Sequence, residues 1–164
     1  MANTAFSTHI EGKILNLLLR GAAFTPYTGN LYLAFLTNST SDTSLVEHAA
    51  TGAYGTRVGF SGATQNQFTK YGTSTSTAAD TSGAITDETR LINLNPITFT
   101  ASGAALTGVV GIAICTTNVV NTTPSAMAAD TSVIFYGDLT GGSVTLAIGQ
   151  SITFAAGAIV VSLD

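Results

Sequence analysis

Apolar residues recur at two periods along this chain, a helical one near the N-terminus and a strand-like one nearly everywhere after it. Ile10, Ile14, Leu17 and Leu18 follow the three-to-four spacing of a single helix face. Thr8 and Glu11 stand at the spacing of a capping box, in which a hydroxyl and a carboxylate satisfy the free N–H groups of the first turn. Arg20 suits the negative end of the helix dipole, and Gly21 suits the left-handed residue that ends a helix. The spacing predicts one helix over about residues 9–20.

Downstream, residues 30–37 (NLYLAFLT) are apolar on both alternating faces, which predicts a central strand covered on both sides. Short strand-like pieces follow near Arg57–Phe60 and Gln67–Tyr71. Residues 72–88 hold few bulky apolar side chains. They predict a mobile or loop-rich segment, because little apolar burial is available to offset the entropy of ordering it. Strand signals return at Leu91–Leu94 and Ile97–Phe99, on either side of Pro96, which predicts an edge or bulge there. Val109–Cys115 reads as one buried strand and Val133–Leu139 as another. Thr140-Gly141-Gly142-Ser143 predicts a hairpin turn into Val144, Leu146 and Ile148. Gly149-Gln150 turns the chain again into Ile152 and Phe154, and Ile159, Val161 and Leu163 share one face at the end. Some eight to ten short strands at this spacing predict a mainly β fold. It is an antiparallel β-sandwich, jelly-roll-like, with one short N-terminal α-helix, formed as a single domain over residues 1–164.

Composition narrows what such a fold could do. Only 9% of the 164 residues are charged while 45% are hydrophobic, against about 25% charged in an ordinary soluble domain. The surface therefore consists of Thr, Ser, Asn and backbone groups, which shed water easily and suit broad protein contacts. The five cations, Lys13, Arg20, Arg57, Lys70 and Arg90, are scattered, and a net charge of −4 has the wrong sign for neutralising phosphates, so no nucleic-acid partner is expected. No apolar run reaches the ~20 residues of a membrane span. Nor does Ile14–Leu19 form the h-region of a secretory signal, so synthesis and first residence in the cytoplasm are expected. Cys115, the one cysteine, is expected to be a buried thiol behaving as a small hydrophobe.

Candidate chemistry is sparse. His9 and His48 have no nucleophile elbow or triad pattern around them and are expected to face solvent. Asp87-Glu88 is the one adjacent acidic pair, and with Asp80 it lacks the spacing of a calcium loop. Gly12-Lys13 follows no phosphate loop, and Asn38-Ser39-Thr40 and Asn121-Thr122-Thr123 read as turns. Tyr27, Tyr54 and Tyr71 lie near loops, where stacking on a sugar is conceivable, whereas Tyr32, Phe35, Phe99, Phe135, Tyr136 and Phe154 fall on strands as core or interface. No catalytic, cofactor-binding or metal-binding residue is assigned.

Three stretches carry a resemblance. The helix segment Ile14–Arg20 leads through Thr25-Pro26 to the strand Leu31–Thr37. A tyrosine–arginine segment, Tyr54-Gly55-Thr56-Arg57-Val58-Gly59-Phe60, follows. The third is Ile134–Thr140 together with Ile148–Gly157, ending Phe154-Ala155-Ala156-Gly157. In these the chain resembles small virion proteins of tailed bacteriophages, of head-decoration, capsid-fibre or tail-fibre-like type. The resemblance implies a non-enzymatic structural protein without cofactors. It implies a capsid decoration (cement) subunit on the outside of the virion that binds and stabilises the assembled head, with the major capsid protein as partner. By analogy it also implies a homo-oligomer, a trimer rather than a dimer. The alternative it leaves open is a tail or fibre component that binds host surface carbohydrate.

Overall fold

The computed structural model describes residues 4–23, 27, 29–40, 44–48, 54–60, 67–70, 90–120 and 130–162. The segment 72–88, with Asp80, Asp87 and Glu88, lies outside them, as do Tyr71, Asn121 and Leu163.

Strand β1 (Thr4–Phe6) leads directly into helix α1 (Thr8–Arg20). Ser7, not Thr8, caps the helix: its Oγ accepts the Ile10 N–H at 3.4 Å. The cap falls one residue earlier than the capping-box spacing because Ser7 still belongs to the extended chain of β1. It donates its N–H to Ile134 O (3.0 Å) and its hydroxyl to Val133 O (2.6 Å). Glu11 is thereby four residues from the cap and outside the box. Gly21 ends the helix at φ 62°, the left-handed conformation that glycine adopts without steric cost.

The fold centres on β2 (Tyr32–Asn38) and β9 (Gly111–Cys115), paired antiparallel with Leu33 opposite Ile114 and Phe35 opposite Ile112. Beyond β9 lie β10 (Val133–Asp138) and then β1. Along the other edge of β2, β3 (Val46–Glu47) and β4 (Val58–Gly59) pair one after the other, completing six strands. The central strand covered on both faces is borne out. Leu33 and Phe35 face the main core, while Ala34 and Leu36 face a second cluster with Leu45, Ala113, Cys115 and Val133.

The remaining strands fold back on one another in nested antiparallel pairs. Strand β6 (Arg90–Asn93) pairs with β13 (Val160–Ser162) and with β5 (Phe68–Lys70). Strand β7 (Ile97–Thr100) pairs with β12 (Ser151–Phe154), and β8 (Leu106–Val109) pairs with β11 (Val144–Leu146). With β9–β10 inside them, these make a doubled-back ribbon of the jelly-roll kind. The main core lies between the outer three pairs of this ribbon and the six-stranded sheet. Ile97, Leu106, Val109, Leu146, Ile159 and Val161 come from one side, and Leu33, Phe35, Ile112 and Ile114 from the other.

The nesting overturns two local expectations. Thr140–Ser143 is a turn but not a hairpin: β10 and β11 pair with different strands, and Gly141 and Gly142, at φ 108° and 88°, let the chain turn a corner between layers. Gly149 (φ 83°) marks the same kind of corner between β11 and β12. Val109–Cys115 is not one strand. Val109 pairs with Val144, Val110 donates its N–H to Leu36 O at 2.8 Å, and the chain changes sheet between them.

The helix stripe is also corrected. No residue of α1 is buried, and Leu17 and Leu18 are exposed. The helix packs against β1 and β10; Ile10 and Ile14 are half-buried, while Leu15, Leu17, Leu18 and Leu19 are exposed.

Candidate functional site

Among the described residues, the densest chemistry lies where β3, residues 54–57, and residues 117, 130 and 132 converge. Arg57 is at its centre. Its Nε and Nη2 donate to Glu47 Oε1 and Oε2 at 2.9 and 2.8 Å, a two-bond fork, and Nη2 also reaches Asp130 Oδ2 at 2.9 Å. Its Nη1 donates to Ser132 Oγ at 3.0 Å and to Thr117 O and Oγ1 at 3.3 Å. The Tyr54 hydroxyl donates to Glu47 Oε1 at 2.8 Å, and the Tyr54 oxygen accepts the Phe35 N–H at 3.3 Å. The side chains of Arg57 and Glu47 are removed from water, at 0% and 1% exposure.

Burial opposes charge on Arg57, but the hydrogen bonds from Glu47 and Asp130 outweigh it and hold the guanidinium firmly protonated. Burial, followed by the charge and hydrogen bond of Glu47, pushes the Tyr54 hydroxyl well above the usual tyrosine range. Burial likewise pushes up the Cys115 thiol, which favours its neutral form. Every buried side-chain nitrogen and oxygen described has a hydrogen-bond partner. The cluster therefore ties Glu47, Tyr54 and Arg57 to Thr117, Asp130 and Ser132.

Among the described residues, those singled out from the sequence do not converge on a site. His9 and His48 are half-buried, not solvent-facing, and His48 packs edge-on to Tyr54 with ring centroids 6.2 Å apart. Tyr54 is completely buried among Phe35 and Phe99 and cannot stack on a sugar. Tyr27 is exposed, with its hydroxyl engaged by the carbonyls of Asn30 and Thr116 at 2.9 and 2.7 Å. Asn38 forms the expected turn, its Oδ1 accepting the Thr40 N–H at 3.1 Å. Glu47 and Arg57 were not marked as partners in the sequence. The available signal was their position within apolar runs, Leu45-Val46-Glu47 and Arg57-Val58-Gly59-Phe60, where an unpaired charge would be costly.

Two surface features could serve binding. On α1, Leu15, Leu18 and Leu19 are 56%, 71% and 78% exposed. On the β7–β12 pair, hydroxyls form cross-strand contacts at Thr98–Thr153 (2.9 Å) and Thr100–Ser151 (2.7 Å), giving a neutral, flat face. Among the described residues no group of His, Cys, Asp and Glu is arranged to hold a metal ion, and no helix is long and apolar enough to cross a membrane.

Residues 5–162 match the family model described as podophage GP4 fiber I protein gp80. No curated protein matches the chain.

Proposed function

We propose a structural role, starting from the family: the chain belongs to the podophage GP4 fiber I protein gp80 family, and it serves as a non-enzymatic building block of a fibre-like element on the phage particle. The exposed leucines of α1 carry this reading. Leu15, Leu18 and Leu19 present a contiguous apolar patch that a free monomer would leave in water. The charge-poor surface around them supports the same conclusion, since Thr, Ser and Asn groups desolvate at low cost. Association with further copies of the chain and with neighbouring virion proteins would cover that patch, and repetition along a fibre would add avidity.

The family description favours a fibre element over capsid cement. The cement reading keeps one argument, that a neutral, hydroxyl-rich face such as β7–β12 suits a shell lattice. Imaging of intact particles carrying a label on this protein distinguishes them. Density projecting from the particle on a stalk or near the tail is expected. Density spread over the shell in register with the capsid lattice would replace the fibre reading with the cement reading, and label absent from purified particles would overturn both.

A further inference from the structure

Where the ends of β2 and β10 meet the start of β9, Thr37–Thr40, Val110, Asp138, Leu139, Gly142 and Ser143 line an open cleft of about 460 Å3. That is within the range that holds a small ligand. Its polar groups are fixed by the frame. Ser39, itself buried, is hydrogen-bonded to Asp138 Oδ1. The bond depends on Gly111, the strand partner of Asp138: a Cβ there would stand 2.7 Å from Ser39 Oγ and 2.7 Å from Gly137 O. Asn38 Oδ1 is occupied by the N–H and hydroxyl of Thr40, both at 3.1 Å, which fixes the amide plane.

What remains unused is specific. Among the described residues, Asp138 Oδ2, the Asn38 amide NH2 and the Ser143 hydroxyl have no protein partner. A carboxylate oxygen accepts hydroxyl protons, an amide NH2 donates to ring or hydroxyl oxygens, and a serine hydroxyl does either. Val110 and Leu139 add apolar surface for the C–H face of a ring. Among the described lining residues Asp138 alone is charged, and its charge disfavours an anionic ligand.

We propose that this cleft binds a neutral saccharide, with Asp138 and Asn38 as its polar anchors. The site goes beyond the structural role above and is argued from its own side chains, so either could fail alone.

The test is a titration of the isotope-labelled full chain with glucose, galactose, mannose and N-acetylglucosamine, followed through the backbone amides. Glucuronate serves as the anionic comparison and ethanolamine as the cationic one. At least one neutral sugar should shift the amides of Gly111, Asp138 and Gly142 saturably, and glucuronate should bind more weakly. Asp138→Asn should weaken binding by about tenfold or more, the scale of one hydrogen bond to a charged group. Ser143→Ala, at an exposed position, should weaken it less and leave the fold unchanged, so it carries the test if Asp138→Asn unfolds. The proposal is overturned if no neutral sugar shifts these amides, if ethanolamine alone does, or if both variants bind like the parent. Particle imaging reads the fibre role independently of all these outcomes.

Discussion

Arg57 and Glu47 face each other through two parallel hydrogen bonds of 2.9 and 2.8 Å, with both side chains out of water. Such a pair is better evidence of specificity than of stability, since desolvating two ions offsets most of their attraction. Breaking it is another matter. Glu47→Ala leaves the guanidinium with Asp130, which is itself partly solvated, and strands the Tyr54 hydroxyl. A loss of about 3–5 kcal/mol is expected for Glu47→Ala or Arg57→Ala. The double variant Glu47→Ala, Arg57→Ala should lose well under the sum of the two. Urea denaturation of the four proteins checks this, and strictly additive losses would show that the pair does not act as a unit.

The pair also marks where the sequence stopped being legible. Periodicity alone located α1 and the doubly covered β2, because each draws its signal from neighbours within one or two turns or along one strand. Which strands pair was not legible. Gly141-Gly142 is as good a signal for a tight hairpin as for a corner, and only the whole ribbon decides that β11 joins β8 instead of β10. Arg57 meets Asp130 across 73 positions, a separation no spacing rule encodes. The cleft around Asp138 is hidden for the same reason, since Ser39 lies 99 residues from it.

Alkaline pH should weaken the fold in two stages. Cys115 and Tyr54 both have native pKa values raised by burial, so the unfolded chain gives up these protons before the native protein does. Stability from these groups is complete below the unfolded thiol value of about 8.5 and declines above it. It declines more steeply above about 10, where unfolded Tyr54 ionises, by roughly 1.4 kcal/mol per pH unit for each group. Cys115→Ala should remove the first stage and Tyr54→Phe the second. Denaturation midpoints between pH 7 and 11 measure both, and an unchanged pH dependence in the two variants would exclude these groups as its cause.

Gly111 should tolerate no side chain. The added Cβ of Gly111→Ala would approach backbone at Gly137 O as well as Ser39, and the backbone cannot rotate away as a long side chain could. A loss of about 1–3 kcal/mol is expected, the usual scale of overpacking. Gly12→Ala, on α1 with open space around its Cβ, should instead be stabilising by about 1 kcal/mol, as alanine replaces glycine in a helix. Thermal unfolding of both variants tests this opposite pair of signs.

The leucines of α1 separate folding from assembly. Because Leu18 and Leu19 are 71% and 78% exposed, Leu18→Asp and Leu19→Asp should shift stability by no more than about 0.5 kcal/mol, as substitutions at exposed positions usually do. Ile112→Asp, in the main core, should abolish folding. If the leucine patch is an assembly surface, the same two aspartates should shift the parent protein from oligomer to monomer in sedimentation. Contacts of this kind are apolar, so the parent oligomer should persist in 1 M NaCl, where a Debye length of about 3 Å leaves little for ion pairs. An oligomer that dissolves in salt would point to the scattered charges instead. A parent protein that sediments as a monomer, or aspartate variants that sediment as the same oligomer, would remove α1 from the interface.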